Sequence, residues 1–161
     1  GGESASTSHV CGSEIETDRC PDPGKIRRMN WNQIRLLPRA VASREHVRTA
    51  PREPGVYIWF REDEPVYLGK AAILRDRLGT HRRTSTSPSK STLRATVGAM
   101  VTGQPRKTLR EKGRYVEAEA QVIDTYLDGC ELAWVTTATP ADAALLERSL
   151  INEWRPPLNL A

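Results

Sequence analysis

The chain of 161 residues is 38% hydrophobic and 27% charged, and its 24 Lys and Arg against 20 Asp and Glu give a net charge of +4. Such a length and balance are typical of one ordinary globular domain. Because the sequence has neither an apolar run of membrane-spanning length nor a secretory signal, we expect no membrane insertion and no export, and we expect a cytoplasmic location. The three cysteines include no Cys-x-x-Cys pair, so they predict neither a disulfide framework nor a zinc site.

The N-terminal segment 1–28 is polar, rich in Gly, Ser and Thr, and without apolar periodicity, so we expect a disordered tail. Met29 follows it and is a candidate native start, with a single domain expected over 29–161. The apolar residues from Trp31 onward predict a helix that packs on the core. Pro38 should end this helix, because proline disrupts a helix interior.

Two short apolar runs, at 55–60 and 66–70, predict an antiparallel hairpin because their residues alternate with period two around a polar turn. The alternation places Tyr57 and Tyr67 off the face that carries Val, Ile and Leu. Gly69 ends the second run and leaves room there for a ligand or another backbone. Tyrosine is also a favoured strand residue, so ordinary sheet packing is an open interpretation of both tyrosines.

A helix is predicted from Ala71, with Leu74 and Leu78 four residues apart on an apolar stripe. Arg77 and His81 are also four residues apart and share a neighbouring stripe, close to the second tyrosine. Two interpretations fit this spacing. One is a pair of side chains that serves chemistry beside the hairpin, and the other is a solvated basic face.

The last helix is predicted to begin at Thr139-Pro140, an N-cap followed by proline, and to end before Pro156-Pro157. Glu147 lies among the apolar residues of this helix, so its carboxylate should point to the core side. A carboxylate in an apolar stripe must be paired, protonated or bound to a metal. Both a buried ion pair with an arginine and metal ligation are therefore open.

These features share one order along the chain. The residues concerned are Gly55-Val56-Tyr57, Tyr67-Leu68-Gly69, Lys70, Arg77, Glu147 and Asn159. In order and spacing they resemble the GIY-YIG nuclease superfamily over roughly residues 54–160. Val and Leu stand in place of Ile in the two name motifs, and both substitutions keep strand character.

The resemblance implies the GIY-YIG nuclease fold, an α/β domain of the α+β type with a small central three-stranded antiparallel sheet flanked by helices. The strands are expected at about 55–60, 66–70 and 131–136. After the N-terminal helix, further helices are expected from Ala71, from Tyr115 and from Pro140.

The resemblance also implies a divalent-metal-dependent endonuclease that hydrolyses DNA phosphodiester bonds and leaves a 5′-phosphate and a 3′-hydroxyl. Glu147 would hold one Mg²⁺ or Mn²⁺, since hard ions take oxygen ligands and Mg²⁺ keeps most of its waters. Arg77 would bind a non-bridging phosphate oxygen with its planar guanidinium. Gly55, Gly69 and Asn159 would have structural roles, and Asn159 would hold the loop after the last helix through side-chain to backbone hydrogen bonds.

The identity of the general base is open at this stage. Tyr57 or Tyr67 would orient or deprotonate the attacking water, which requires a tyrosine pKa lowered from about 10 by cations such as Lys70 or the metal. His81 is a competing base, because its unperturbed pKa is better suited to the task. The expected catalytic set is Tyr57, Tyr67, Lys70, Arg77, His81 and Glu147.

Positive charge is concentrated between residues 82 and 114, where nine Lys and Arg and one Glu give +8 while the rest of the chain is −4. Such a concentration attracts a polyanion. We interpret residues 82–128, approximately, as a basic helical insertion that binds DNA. The expected contacts are Arg82, Arg83, Lys90, Arg94, Arg106 and Lys107. RNA is a less favoured partner, because residues 82–114 offer no Phe, Tyr or Trp for base stacking.

Two other classes of protein stay open. A member of the fold that has lost catalysis would be a nucleic-acid-binding module, whereas a purely structural domain would pair Glu147 with Arg77 and bind no metal. Metal-dependent cleavage would exclude both. Sequence-specific reading of DNA would need the basic insertion or a homodimer to supply base contacts.

Overall fold

The computed structural model describes residues 29–85 and 87–159, and the predicted disordered tail at 1–28 lies outside them. Four strands form one antiparallel sheet in the order β1-β4-β2-β3. They are β1 Ala40–Val41, β2 Gly55–Arg61, β3 Glu64–Ala71 and β4 Glu131–Thr136. The helices are α1 Trp31–Arg35, α2 Arg44–Val47, α3 Leu74–Arg82, α4 Thr92–Thr102, α5 Arg106–Lys112, α6 Glu117–Asp128 and α7 Pro140–Glu153. None of these described helices has the length and apolar character needed to cross a membrane.

The hairpin of β2 and β3 is the centre of the sheet and reaches closer to the turn than the sequence predicts. Glu62 and Asp63 form the turn with positive φ angles of 52° and 64°, a backbone that suits the right-handed twist of the two strands. A β-bulge at Val66 follows, where the register shifts between Trp59 and Phe60. Beyond the bulge the pairing is regular and brings the two name motifs side by side.

The sheet has four strands where three were predicted. Ala40 and Val41 form β1 at the outer edge and pair with Leu132 and Glu131 of β4. Two residues are too few to leave a period-two pattern, so nothing in the sequence marks this strand. The predicted antiparallel sheet flanked by helices is confirmed, and its strand count is corrected to four in the described part of the chain.

Helices cover both faces of the sheet, and an apolar core lies under each cover. On one face, α1 and α7 pack on a group that includes Val56 and Ile58. On the other face, α3, α4, α5 and α6 pack around Tyr57, Trp59 and Tyr67. Because successive residues of a strand point to opposite faces, both tyrosines lie on the second face.

The helix boundaries lie within a few residues of those expected. α3 begins at Leu74 rather than Ala71, because β3 continues to Ala71. α6 begins at Glu117 rather than Tyr115, and α7 begins at Pro140 as predicted. The short helices α2 and α5 were not predicted, and α5 lies between two glycines with positive φ that end α4 and α5 themselves.

Candidate active site

Tyr57 lies in β2 opposite Gly69 of β3, and its phenol crosses over that glycine. A Cβ atom on Gly69 would stand 2.3 Å from the Tyr57 hydroxyl oxygen, well inside contact distance. Gly55 is enclosed by backbone in a similar way, because a Cβ atom there would lie 2.2 Å from the carbonyl oxygen of Val135. A side chain would therefore not fit at either position. At Gly69 the space is occupied by the Tyr57 phenol, and at Gly55 by the backbone of Val135.

Gly69→Ala should lower the free energy of unfolding by roughly 1–3 kcal/mol, because an added methyl in a filled core forces neighbouring groups to move. Urea unfolding measures the change. The matched control is Gly79→Ala in α3, where no described atom beyond the adjoining residues and helix backbone lies within 4 Å of the added Cβ. Alanine at that helical position should stabilise by about 0.5–1 kcal/mol. Unchanged stability in Gly69→Ala would contradict the packing of Tyr57 on this glycine.

His81 is fully buried beneath the hairpin, and both of its ring nitrogens are engaged. Its Nε2 lies 2.7 Å from the Tyr57 hydroxyl and its Nδ1 lies 2.6 Å from Ser91 Oγ. Ser91 also caps α4, since its Oγ accepts the Arg94 backbone N–H at 3.1 Å. Burial, aided by the nearby cations Arg77 and Arg94, lowers the pKa of His81 to about 3, so the imidazole is neutral at physiological pH.

The buried neutral imidazole predicts acid sensitivity. The unfolded chain protonates His81 as the pH falls through about 6.5, whereas the folded chain does so only near pH 3. Stability contributed by this group is therefore present above pH 6.5 and declines below it, by about 2 kcal/mol at pH 5. Urea unfolding at pH 7.5 and pH 5 should show this loss in wild type and in His46→Gln. The loss should be smaller by that amount in His81→Gln, and an equal loss there would contradict the prediction.

Tyr67 stands beside Tyr57, with ring centroids 6.3 Å apart, and is somewhat more accessible, at 7% exposure against 1%. Burial raises the pKa of both phenols, and the charge of Glu147 adds to the rise. The guanidinium of Arg77 opposes the rise in the pKa of both, and Arg106 opposes it for Tyr67. The Tyr67 phenol is therefore within electrostatic reach of one carboxylate and two arginines.

Arg77 lies on α3 at the wall of an open cavity of about 390 Å³ beside the end of β3. Its polar neighbours in that wall are Lys70, Asp76 and Thr80. Among the ion pairs of residues 29–85 and 87–159, none involves Arg77. A second cavity, of about 430 Å³, meets the first at Lys70 and is bounded on its far side by the start of α7. Arg77 is thus placed to bind an anion that enters between α3 and α7.

Glu147 projects from α7 toward the same end of β3. Its Oε1 lies 3.9 Å from Lys70 Nζ, and the two side chains are 26% and 53% exposed. Burial raises the pKa of Glu147, while the ammonium and backbone N–H of Lys70 oppose the rise. The alternative in which Glu147 pairs with Arg77 is not realised, because Lys70 is the partner. A half-buried carboxylate at a solvent-open cleft is a hard oxygen donor that suits a divalent cation with most of its waters kept.

Asn159 is bonded to the free edge of β3. Its Oδ1 accepts the backbone N–H of Leu68 and its Nδ2 donates to the carbonyl of the same residue, both at 2.7 Å. The Leu158 backbone N–H also donates to the Val66 carbonyl, at 2.9 Å. The predicted role of Asn159 is to hold the loop after the last helix through side-chain to backbone hydrogen bonds. Its backbone partner lies in β3, the strand that also carries Gly69 and Lys70. Asn159 therefore anchors the end of the chain against the strand that carries Tyr67.

Two of the residues expected to bind DNA are buried instead. Arg82 and Arg94 are 4% and 1% exposed, and they form ion pairs with Asp128 and Asp124 at 2.5 Å and 2.6 Å. The prediction is corrected because both acids come from α6, which folds back on this region. A count of charge that stops at Arg114 omits them.

The other four expected contacts are more accessible. Arg83, Lys90 and Lys107 are exposed, whereas Arg106 is half-buried and its Nη1 donates to Thr96 Oγ1 at 3.3 Å. Of these, Arg106 is the one that reaches the Tyr67 phenol electrostatically. The six residues predicted to bind DNA therefore differ in position. Two are buried, three are exposed, and Arg106 lies near Tyr67.

Sequence reasoning missed Ser91, which holds the far side of the His81 ring. Its place before Thr92 is a recognisable N-cap signal and would have located the start of α4. The contact with His81 is not local in the chain, so no spacing rule predicts it.

The chain is similar to known proteins. A family described as "GIY-YIG catalytic domain" matches residues 55–161. UvrABC system protein C of Pseudomonas fluorescens is 32% identical over 113 residues, which are 70% of this chain and 14% of that protein. The same protein of Aquifex aeolicus is 26% identical over 114 residues, 71% of this chain and 15% of its own length. The chain thus spans about one seventh of these relatives.

A solved structure is also similar, that of the GIY-YIG N-terminal endonuclease domain of UvrC from Thermotoga maritima bound to magnesium, its catalytic divalent cation. It is 26% identical and covers 73% of this chain and 94% of that domain, with a TM-score of 0.41.

The fold and the site define a catalytic α+β domain whose two tyrosines meet an arginine and a carboxylate at one end of a hairpin. The family match extends over more than half of the chain, so the chain belongs to the GIY-YIG family. Its predicted membership in the GIY-YIG nuclease superfamily is confirmed, and with it the prediction of an endonuclease domain.

Proposed function

We propose that this domain hydrolyses DNA phosphodiester bonds with the aid of one divalent metal ion and leaves a 5′-phosphate and a 3′-hydroxyl. The observation that carries the proposal is the convergence of Tyr67, Arg77 and Glu147 on one end of β3. The charges of Arg77 and Glu147 both affect the pKa of the Tyr67 phenol. Lys70 forms an ion pair with Glu147 and also lines the open cavity beside Arg77. These residues come from β3, α3 and α7, which are far apart in sequence.

Glu147 is the proposed ligand of Mg²⁺ or Mn²⁺. A metal ion fits this site because the Glu147 carboxylate is partly exposed. The carboxylate already faces one cation, the ammonium of Lys70, so positive charge is favourable beside it. The described residues hold no cluster of three or more His, Cys, Asp or Glu that could bind a metal. A single carboxylate suits Mg²⁺, which keeps several waters and takes its other ligands from phosphate. When bound, such an ion offsets charge on the phosphate and on the leaving oxygen.

Arg77 is proposed to bind a non-bridging oxygen of the scissile phosphate. Its guanidinium is free of ion pairs in the described chain and lines the open cavity, so it can present two parallel N–H groups to a phosphate. Charge on these oxygens grows as water adds to phosphorus, and a fixed cation therefore stabilises the transition state more than the ground state. Lys70, on the same wall, adds a second positive charge.

Tyr67 is proposed to orient the attacking water. Tyr57 is more deeply buried, and its hydroxyl already lies 2.7 Å from His81 Nε2, so it serves better to support the site than to meet water. His81 is fully buried and its pKa is lowered to about 3, and both features disfavour it as the base that was considered from sequence. We therefore assign His81 to positioning Tyr57, with Ser91 holding its other nitrogen.

DNA is the proposed partner, and a cytoplasmic location is proposed with it. Support comes from the exposed cations Arg83, Lys90 and Lys107 around the domain and from Arg106 near Tyr67. The family description, a GIY-YIG catalytic domain, agrees with an enzyme of this kind.

The test is cleavage of end-labelled duplex, single-stranded and branched DNA and of matched RNA, each with Mg²⁺, Mn²⁺ or EDTA. We expect metal-dependent cutting of at least one DNA form, with ligatable 5′-phosphate ends. DNA that binds and is never cut in any metal would contradict the proposal and favour the recognition module.

A further inference from the structure

A second basic cavity lies nearer the C-terminal end of α3 than the cavity that Arg77 lines. It has a volume of about 360 Å³ and opens between α2 and the C-terminal end of α3. Four arginines line it, and none of the described lining residues is a carboxylate; the lining is Arg44, Val47, Arg48, Gly79, Arg82, Arg83 and Thr84. The arginines of its two walls are more than 30 residues apart in sequence, since Arg48 and Arg82 are separated by 34 positions.

The arginines of this cavity carry more positive charge than the nearby carboxylates of Asp124 and Asp128 neutralise. Arg82 binds Asp128 through Nη2, and its Nε and Nη1 are buried without a hydrogen-bond partner in the described structure. Arg44 shares Asp124 with the buried Arg94, at 3.8 Å and 2.6 Å. Unpaired buried guanidinium nitrogens are costly and mark a place where an anion would be favourable.

Arg44, Arg48 and Arg83 are the exposed members of the group, and neither Arg48 nor Arg83 takes part in the ion pairs of residues 29–85 and 87–159. The C-terminal carbonyls of α3 favour nearby cations, and this dipole effect accounts for part of the clustering. Arg44 already satisfies that role, since its Nε donates to the Arg82 carbonyl at 3.2 Å. The other two side chains are therefore available to a ligand.

We infer that this cavity is a second phosphate site, which binds a backbone phosphodiester of the nucleic acid whose scissile bond lies at Arg77. The inference rests on the proposed function, since it assigns the ligand as the DNA substrate. Arg77 and Arg83 are about 9 Å apart along the axis of α3, at 1.5 Å per residue. A strand that rises about 3.4 Å per nucleotide would reach the cavity within a few nucleotides of the cut.

The test variant is Arg48→Gln with Arg83→Gln, in which both substituted side chains are exposed, so the fold should be unaffected. The charge-matched control is Arg35→Gln with Arg155→Gln. Arg35 lies on α1 beside Glu64, and Arg155 follows α7, so both sit with the helices of the opposite face of the sheet. Thermal unfolding of all three proteins verifies that each is folded.

The measurement is duplex DNA affinity in EDTA across a series of NaCl concentrations. Each phosphate contact contributes about 0.9 to the slope of log affinity against log salt. We expect the test variant to lose about one unit of slope and roughly tenfold in affinity, and the control to retain the wild-type slope.

Two outcomes would overturn the inference. One is an unchanged slope in the test variant while wild type binds and cuts DNA, which leaves the proposed function intact. The other is stabilisation of wild type by inorganic phosphate, lost in the test variant, without any change in DNA slope, which would assign the cavity to a free phosphate. Failure of wild type to bind any DNA would instead remove the proposed function on which the inference rests.

Discussion

Glu147→Gln should reduce single-turnover cleavage by about a thousandfold or more, because several kcal/mol of transition-state stabilisation by the metal are lost with its ligand. Glutamine keeps the size of the side chain and removes its charge, so packing against α7 neighbours is preserved. The Kd for DNA in EDTA should stay close to the wild-type value. Glu147→Ala should give the same loss, which would show that the charge and not the shape of the side chain is required.

Glu153→Gln is a suitable control, because it removes a carboxylate from the same helix at a distance from the cleft. The Oε2 of Glu153 accepts the Trp31 backbone N–H at 3.0 Å, on the face of the sheet covered by α1. We expect wild-type cleavage from this variant, with at most a small loss of stability. Cleavage by Glu147→Gln at a rate near wild type would contradict the assignment of the metal ligand.

Arg77→Ala should slow the chemical step by about a hundredfold or more, as expected when a fixed donor to the developing oxyanion is removed. Arg77→Lys should recover little of the loss, because an ammonium keeps the charge but lacks the planar fork of a guanidinium. The rate at saturating DNA in single-turnover conditions isolates this step from binding.

Arg75→Ala is the control for this prediction, since it removes an arginine from the same helix whose Nε donates to the Ala50 carbonyl at 2.7 Å. Its rate should equal that of wild type at a temperature where both proteins are folded. Arg77→Ala could instead raise the Kd for DNA and leave the saturated rate unchanged. Arg77 would then contact DNA only in the ground state, and its assignment to the chemical step would be wrong.

Much of the fold follows from local patterns in the sequence. The alternation in 55–60 and 66–70 predicts the hairpin, and Thr139-Pro140 predicts the start of α7, because these signals depend on near neighbours in the chain. The edge strand β1 has only two residues and no comparable signal. Helix α5 lies in a stretch dominated by charge, where apolar periodicity is weak.

The order of the motifs in the sequence predicts which residues form the candidate site. The structure adds the burial of each side chain and its contacts. Spacing in α3 places Arg77 and His81 on one stripe, yet His81 is fully buried under Tyr57 while Arg77 lines an open cavity. Lys70 as the partner of Glu147 is equally non-local. Burial of this kind depends on packing between helices and sheet, which no short window of sequence describes.

Charge along the chain was the least reliable guide. Arg82 and Arg94 belong to a basic stretch by sequence, but the acids of α6 fold against them and bury both. Conversely, Arg44 and Arg48 lie outside that stretch and join Arg83 around one cavity. Charges act through space, so their grouping follows the tertiary fold rather than the order of residues.

The most direct measurement is the rate at which wild-type protein cuts a labelled DNA duplex as the Mg²⁺ concentration is raised from zero in chelated buffer. We expect no cleavage in EDTA, a rate that rises and saturates with Mg²⁺, and products with 5′-phosphate and 3′-hydroxyl ends. Cleavage that persists at the same rate in EDTA, or ends of the opposite polarity, would contradict a metal-dependent hydrolysis at Glu147.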